Sequence, residues 1–127
     1  TRFEKAMYEN PDQDLQNVWW NLVERYQKVP RPNGREKMAD YAAKIHVSQH
    51  PCYYQNYLLA DILVSQIRRR LEEVSKKKSF VGNVSAGLFF KDHFYAPGDC
   101  YHWKELVKRF CGKSLDPQEW ITDMNAI

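Results

Sequence analysis

A short segment before the longest helical pattern carries the side chains best suited to chemistry. Lys44 and His46 lie two residues apart in a stretch that ends at Pro51, and Tyr54 and Tyr57 follow with i, i+3 spacing. On a helix such a pair lies on one face, so both hydroxyl groups can point into one cleft. Phenols and an imidazole are donors that hold a peptide carbonyl or stabilise an oxyanion. The same side chains also fit an ordinary core in which each tyrosine has one polar tip.

No motif for metal, phosphate or nucleophilic chemistry occurs in the sequence. His-Glu-x-x-His, the phosphate-binding loop and Gly-x-Ser-x-Gly are all missing, and the three cysteines match no zinc spacing. His46 and His50 are four residues apart, but no Glu follows His46 and Pro51 ends the segment. We therefore expect no metal or other cofactor bound by this chain alone.

Charge and hydropathy argue against two classes of partner. The net charge is only +3, and the clusters Arg68-Arg69-Arg70 and Lys76-Lys77-Lys78 lie in or at the end of a helical pattern. Consecutive arginines spread around a helix, and lysines at its C-terminal end complement the helix dipole. No apolar run approaches the roughly 20 residues that cross a bilayer. We expect neither a nucleic acid nor a membrane partner, and the sequence leaves the compartment undecided.

Length and periodicity predict the scaffold. A chain of 127 residues with 43 % apolar residues is typical of one folded domain, here residues 1–127. Helical spacing dominates and alternating strand patterns are nearly absent, so we predict an all-α fold of about six helices. The segments are Arg2 to Glu9, Leu15 to Tyr26, Tyr53 to Val74, Asn83 or Ser85 to Phe94, Tyr101 to Cys111, and a last helix from Asp116.

Local signals mark several helix ends and one apolar face. Asp12 or Asp14 caps the second helix, and Gly112 ends the fifth. Asp116 is followed by Pro117 and, three residues on, by Glu119, which is a strong start signal. The longest helix has an apolar stripe at three- and four-residue intervals. Its members are Tyr57, Ala60, Val64, Ile67, Leu71 and Val74.

Lys44-x-His46, followed by Pro51-Cys-Tyr-Tyr-x-x-Tyr57-Leu-Leu-Ala, resembles the region downstream of the zinc site in helical gluzincin metallopeptidases. These include angiotensin-converting-enzyme-like peptidyl-dipeptidases, thimet-type oligopeptidases and bacterial carboxypeptidase relatives. The segment around Phe3 to Tyr8, the pair Trp19-Trp20 and the C-terminal elements resemble the same families. The resemblance therefore covers nearly the whole chain.

The resemblance implies a function for a longer protein. Its zinc ligands, His-Glu-x-x-His and a later Glu, would lie before Thr1, so this chain would be the C-terminal part of a zinc peptidase that cleaves peptides and would be inactive alone. Tyr57 resembles the tyrosine that stabilises the oxyanion, and His46 the histidine that binds the substrate backbone and transition state. Lys44 and Tyr54 resemble the pair that holds the substrate's C-terminal carboxylate.

Two departures from the converting-enzyme pattern bear on these roles. The spacing from His46 to the tyrosines is one residue longer, so Tyr53 competes with Tyr54 for the carboxylate role. Gln55 and Asn56 stand where those enzymes carry a chloride-binding arginine, so the resemblance does not extend to chloride activation.

The alternative function is a non-catalytic helical interaction domain, whose segment from Lys44 to Tyr57 forms a groove or simply core. If the chain is a part of a larger peptidase, apolar surface that meets the rest of the protein should be exposed. We therefore expect self-association through that surface, or a weakly structured N-terminal helix.

Overall fold

The computed structural model describes residues 1–77 and 79–126, and over these residues every regular element is helical. The described residues form seven α-helices, and their bounds are α1 Arg2–Glu9, α2 Leu15–Gln27, α3 Ile45–Ser48, α4 Gln55–Ser75, α5 Val84–Phe90, α6 Trp103–Cys111 and α7 Gln118–Asn125. A 3-10 helix, Asp40–Ala43, precedes α3, and a π-helix, Lys91–Tyr95, follows α5. The predicted all-α class is confirmed. The seventh helix is α3, a single turn in a segment for which no helix was predicted.

The described chain divides into two compact units, Thr1–Asn56 and a second that begins at Tyr57. In the first unit, α1 packs on α2 through Phe3, whose ring lies edge-on to Trp19 at 5.2 Å between centroids. Asp14 is the cap of α2, since its carboxylate accepts the Asn17 N–H at 3.0 Å. The organisation of residues 1–127 as a single domain stays a prediction.

The second unit has a core of Leu71, Ala86 and Phe110. Phenylalanine side chains from α5 and the π-helix surround the Phe110 ring, with centroids 5.2 to 5.6 Å away. Cys111 lies beside this core, and burial raises the pKa of its thiol to about 11. Aromatic packing of this kind stabilises a small core well because each ring buries a large apolar area.

The ends of the helices in the second unit follow the sequence signals. Asn83 is the cap of α5, with its side-chain oxygen accepting the Ala86 N–H at 3.2 Å. Gly112 ends α6 in the left-handed region at φ 78°, which glycine adopts without strain. The Asp116 carboxylate accepts the Gln118 N–H at 3.1 Å, but the predicted register of α7 is wrong by one residue, since Pro117 and not Asp116 is its N-cap.

The predicted apolar face of the long helix is wrong at several positions. Tyr57 and Val64 are 51 % and 63 % exposed, whereas Ile62 and Gln66 are buried. Gln66 can be buried because its amide is fully occupied: it donates to the Ser114 carbonyl at 3.1 Å and accepts the Asp116 N–H at 3.0 Å. Periodicity did not predict this, since it counts a glutamine as a surface residue.

Candidate functional site

Lys44 and Tyr54 line the same cavity in the first unit. The cavity has a volume of about 430 Å³, within the range of about 300–1,000 Å³ common for small-molecule sites. Lys44 follows the 3-10 helix in an extended conformation, and Tyr54 directly precedes α4. The other lining residues are Thr1, Arg2, Phe3, Trp19, Leu22, Val23, Tyr26 and Gln27.

His46 contacts both candidate tyrosines. Its ring lies 4.7 Å from that of Tyr54 and 6.0 Å from that of Tyr53, the latter nearly parallel at 17°. The Tyr53 ring lies 6.5 Å from that of His50 and does not line the cavity of Lys44. The structure therefore gathers Lys44, His46 and both tyrosines in the first unit, and only Tyr54 of the two tyrosines shares the cavity with Lys44.

A nearly buried carboxylate fixes the backbone just before Lys44. The side chain of Asp40 is only 11 % exposed and accepts from Gln16 at 2.7 Å and from the Trp20 indole at 2.9 Å. The guanidinium of Arg35 pairs with it, and this charge-assisted contact holds the pKa of Asp40 well below its usual range. The Asp40 N–H in turn donates to the Gln16 side chain at 3.0 Å, which ties the 3-10 helix to α2.

A second buried carboxylate holds the turn before the tyrosines. Glu4 on α1 is buried, and its carboxylate accepts the N–H of Cys52. Cys52 has a positive φ of 57°, so this hydrogen bond helps hold an uncommon backbone conformation. The turn that sets the direction of Tyr53 and Tyr54 is thus anchored on α1.

Glu4, Asp40 and Arg2 carry no functional signal in the sequence pattern. Nothing in the local pattern marks Glu4 or Asp40, because their partners lie 48 and 24 residues away along the chain. The only signal available was the i, i+4 pair Gln16 and Trp20, two polar-tipped side chains on one face of α2.

Tyr57 is the first residue of the second unit and lies in the first turn of α4. Its side chain is half exposed. Gln55 and Asn56, which separate it from Tyr54, open the same helix. Whether Tyr57 and His46 act on one substrate stays a prediction.

The arginine cluster of α4 is engaged in ion pairs. Arg68 pairs with Asp123, Arg69 lies 3.4 Å from Glu72, and Arg70 donates to the Phe110 carbonyl at 3.2 Å. The guanidinium groups of the three arginines therefore bind partners within the second unit. Of the lysine cluster that follows, Lys78 lies outside the described residues.

Within residues 1–77 and 79–126, no group of three or more His, Cys, Asp or Glu side chains is arranged to hold a metal ion. All three cysteines are free thiols, with Cys52 and Cys100 exposed. None of the helices in the described part of the chain combines the length and apolar character needed to cross a bilayer.

The described part of the chain is a helical protein in which Lys44 and Tyr54 share a cavity and the His46 ring lies beside that of Tyr54. The chain belongs to the angiotensin-converting enzyme family of peptidases (Peptidase M2), whose sequence model matches residues 2–120. Searches of curated proteins and of solved structures gave no match. The predicted resemblance to angiotensin-converting-enzyme-like metallopeptidases is therefore confirmed at the level of the family, which implies a metallopeptidase parent. The relation to thimet-type enzymes and the C-terminal placement stay predictions.

Proposed function

We propose that this chain supplies the substrate-binding and oxyanion-stabilising residues of a zinc-dependent peptidyl-dipeptidase. The observation that carries the proposal is the shared cavity of Lys44 and Tyr54, with the His46 ring against that of Tyr54 at 4.7 Å. These residues belong to the motif by which the chain resembles its family.

Lys44 and Tyr54 are proposed to hold the C-terminal carboxylate of a peptide. An ammonium group and a phenol hydroxyl both donate to a carboxylate, and a charge-assisted hydrogen bond is about twice as strong as a neutral one. Tyr54 is favoured over Tyr53 because it lines the cavity of Lys44, whereas the Tyr53 ring stacks on His46. Holding the end of the peptide fixes which bond reaches the catalytic groups.

His46 and Tyr57 are proposed to donate hydrogen bonds to the scissile peptide group and to the oxyanion that develops from its carbonyl. Donors fixed on helices need little rearrangement as charge appears, which is why such groups contribute strongly to rate. His46 is held in α3, and Tyr57 is held in the first turn of α4. Their roles rest on family membership and on the matching motif.

Zinc is the cofactor expected of the whole peptidase, since the family is generally zinc-dependent. A bound zinc ion would polarise the substrate carbonyl and activate a water molecule. The described residues do not form a set of ligands for it. We therefore propose that the ligands belong to a part of the peptidase outside this chain.

The binding half of the proposal can be tested on the chain itself. Because Trp19 lines the cavity, the tryptophan fluorescence of the chain should change during a titration with N-acetyl-alanyl-alanine and with the same peptide amidated at its C-terminus. We expect the free acid to bind about tenfold more tightly, and Lys44→Met to abolish that difference.

Lys37→Met is the matched control, since Lys37 is exposed in the same unit and does not line the cavity. It should leave the preference for the acid unchanged. Equal affinity for acid and amide in the unmodified chain, or a preference that survives Lys44→Met, would contradict the proposed carboxylate site.

A further inference from the structure

Cys52, the residue just before the two adjacent tyrosines, is held at both ends of its backbone. Its N–H donates to the Glu4 carboxylate at 2.5 Å, and its carbonyl accepts a hydrogen bond from the Gln55 side chain. Cys52 has a φ of 57°, in the left-handed region that a residue with a Cβ seldom adopts. The two hydrogen bonds therefore hold the chain in a direction that this residue would not favour by itself.

α1 contacts both segments that carry the proposed carboxylate site. The ring of Phe3 lies 5.0 Å from that of Tyr41 in the 3-10 helix, which Lys44 directly follows. The next residue of α1, Glu4, is only 3 % exposed and holds the turn that leads to Tyr54. The position of Tyr54 relative to Lys44 is therefore set through two consecutive residues of α1.

We propose that Glu4 is a positioning residue, which makes Tyr54 and not Tyr53 the tyrosine that shares a cavity with Lys44. This inference rests on the proposed function, in which Lys44 and Tyr54 hold the C-terminal carboxylate of a peptide. Glu4 does not line the cavity, so it acts through the conformation of Cys52. Rotation about φ of that residue would redirect both tyrosines together, because they follow it directly in the chain.

The test measures the preference of the chain for N-acetyl-alanyl-alanine over its amide by tryptophan fluorescence. Glu4→Met keeps the length of the side chain and removes the acceptor, and it should reduce the expected preference from about tenfold to about twofold or less. Glu4→Gln keeps an acceptor oxygen and should retain most of the preference. Glu9→Met is the matched control, since Glu9 is exposed on the same helix and does not line the cavity.

A second substitution distinguishes positioning from a general loss of structure. Glycine adopts a positive φ without the strain that a Cβ causes, so Cys52→Gly added to Glu4→Met should restore much of the preference. Cys52→Ala removes the same thiol but keeps the Cβ, and it should restore none. The NMR signals of the His46 ring protons give an independent measurement, because the Tyr54 ring lies 4.7 Å away. Their ring-current shift should decrease in Glu4→Met and return in the double variant with glycine.

The outcomes separate this inference from the proposed function. No preference for the acid in the unmodified chain would overturn both. A preference that survives Glu4→Met, or that Glu9→Met also removes, would show that Glu4 does not position Tyr54 and would leave the carboxylate site in place. Equal rescue by glycine and by alanine would overturn the role of φ at Cys52.

Circular dichroism shows whether Glu4→Met retains its helices. If it does not, Gln55→Met decides, because this variant releases the carbonyl of Cys52 and leaves the buried carboxylate in place. It should also weaken the preference for the acid. An unchanged preference in Gln55→Met would then contradict the proposal that the conformation of Cys52 positions Tyr54.

Discussion

At the scale of single residues, Tyr57 has the most direct proposed part in the reaction. It is held in the first turn of a 21-residue helix, so its hydroxyl group is carried by a rigid element. A donor that hydrogen-bonds the developing oxyanion acts more strongly on the transition state than on the bound substrate. Its removal should therefore change kcat more than KM.

We predict that Tyr57→Phe in the complete peptidase that contains this chain lowers kcat by roughly 10²–10³ with little change in KM. Steady-state kinetics on a short peptide substrate measures both constants. Tyr95→Phe is the control, since Tyr95 is 65 % exposed in the same unit and has no proposed part in the reaction. A change mainly in KM would move Tyr57 from catalysis to substrate binding.

Residue types and spacing predict Lys44, His46 and the tyrosines as candidate site residues, but they do not distinguish between Tyr53 and Tyr54. The proposal favours Tyr54 because its side chain lines the cavity, and this depends on a turn anchored by Glu4. The same holds for helix caps. Both Asp12 and Asp14 have a carboxylate that can cap α2, and only the backbone of the turn decides that Asp14 accepts the Asn17 N–H.

At the scale of helices, α4 shows how an amphipathic pattern can be assigned to the wrong face. Ile67 and Leu71 pack on the core of the second unit as predicted, but Val64 does not. Val64 instead lines a groove of about 390 Å³ together with Phe80, Phe90 and Tyr95. Val81, in the segment that leads into α5, and Val84, the first residue of α5, are 83 % and 74 % exposed.

We propose that the chain self-associates through this groove, because contiguous exposed apolar surface favours association in water. Sedimentation velocity over a concentration series should show reversible association of the chain. Val64→Glu should raise the dissociation constant roughly tenfold, or about 1.4 kcal/mol, since it places a charge in the contact.

Lys108→Gln is the control for this experiment. It changes the net charge by the same amount at an exposed position of α6 and should leave the association unchanged. A chain that stays monomeric at every concentration, or that associates equally after Val64→Glu, would show that the groove does not mediate self-association.

At the scale of the whole molecule, family membership and the lack of a ligand set in the described residues lead to one expectation. The purified 127-residue chain should hydrolyse no peptide when zinc is added, because the donors proposed here would act only beside a metal ion that other residues hold. The measurement is peptide hydrolysis followed by chromatography, with the complete peptidase as the positive control. Zinc-dependent turnover by the chain alone would contradict the proposal.

The helical class, most helix positions and the family can be predicted from the sequence alone, because they depend on local periodicity, start and stop signals and a motif within a few tens of residues. The identity of the buried polar side chains, and the presence of Tyr54 and Arg2 at the cavity of Lys44, emerge only from the three-dimensional fold. These depend on contacts such as Gln16 with Asp40 and Glu4 with Cys52, which join residues 24 and 48 positions apart. Hydrogen bonds between residues so far apart in the chain produce no periodic pattern in a single sequence, since either partner by itself resembles an ordinary surface residue.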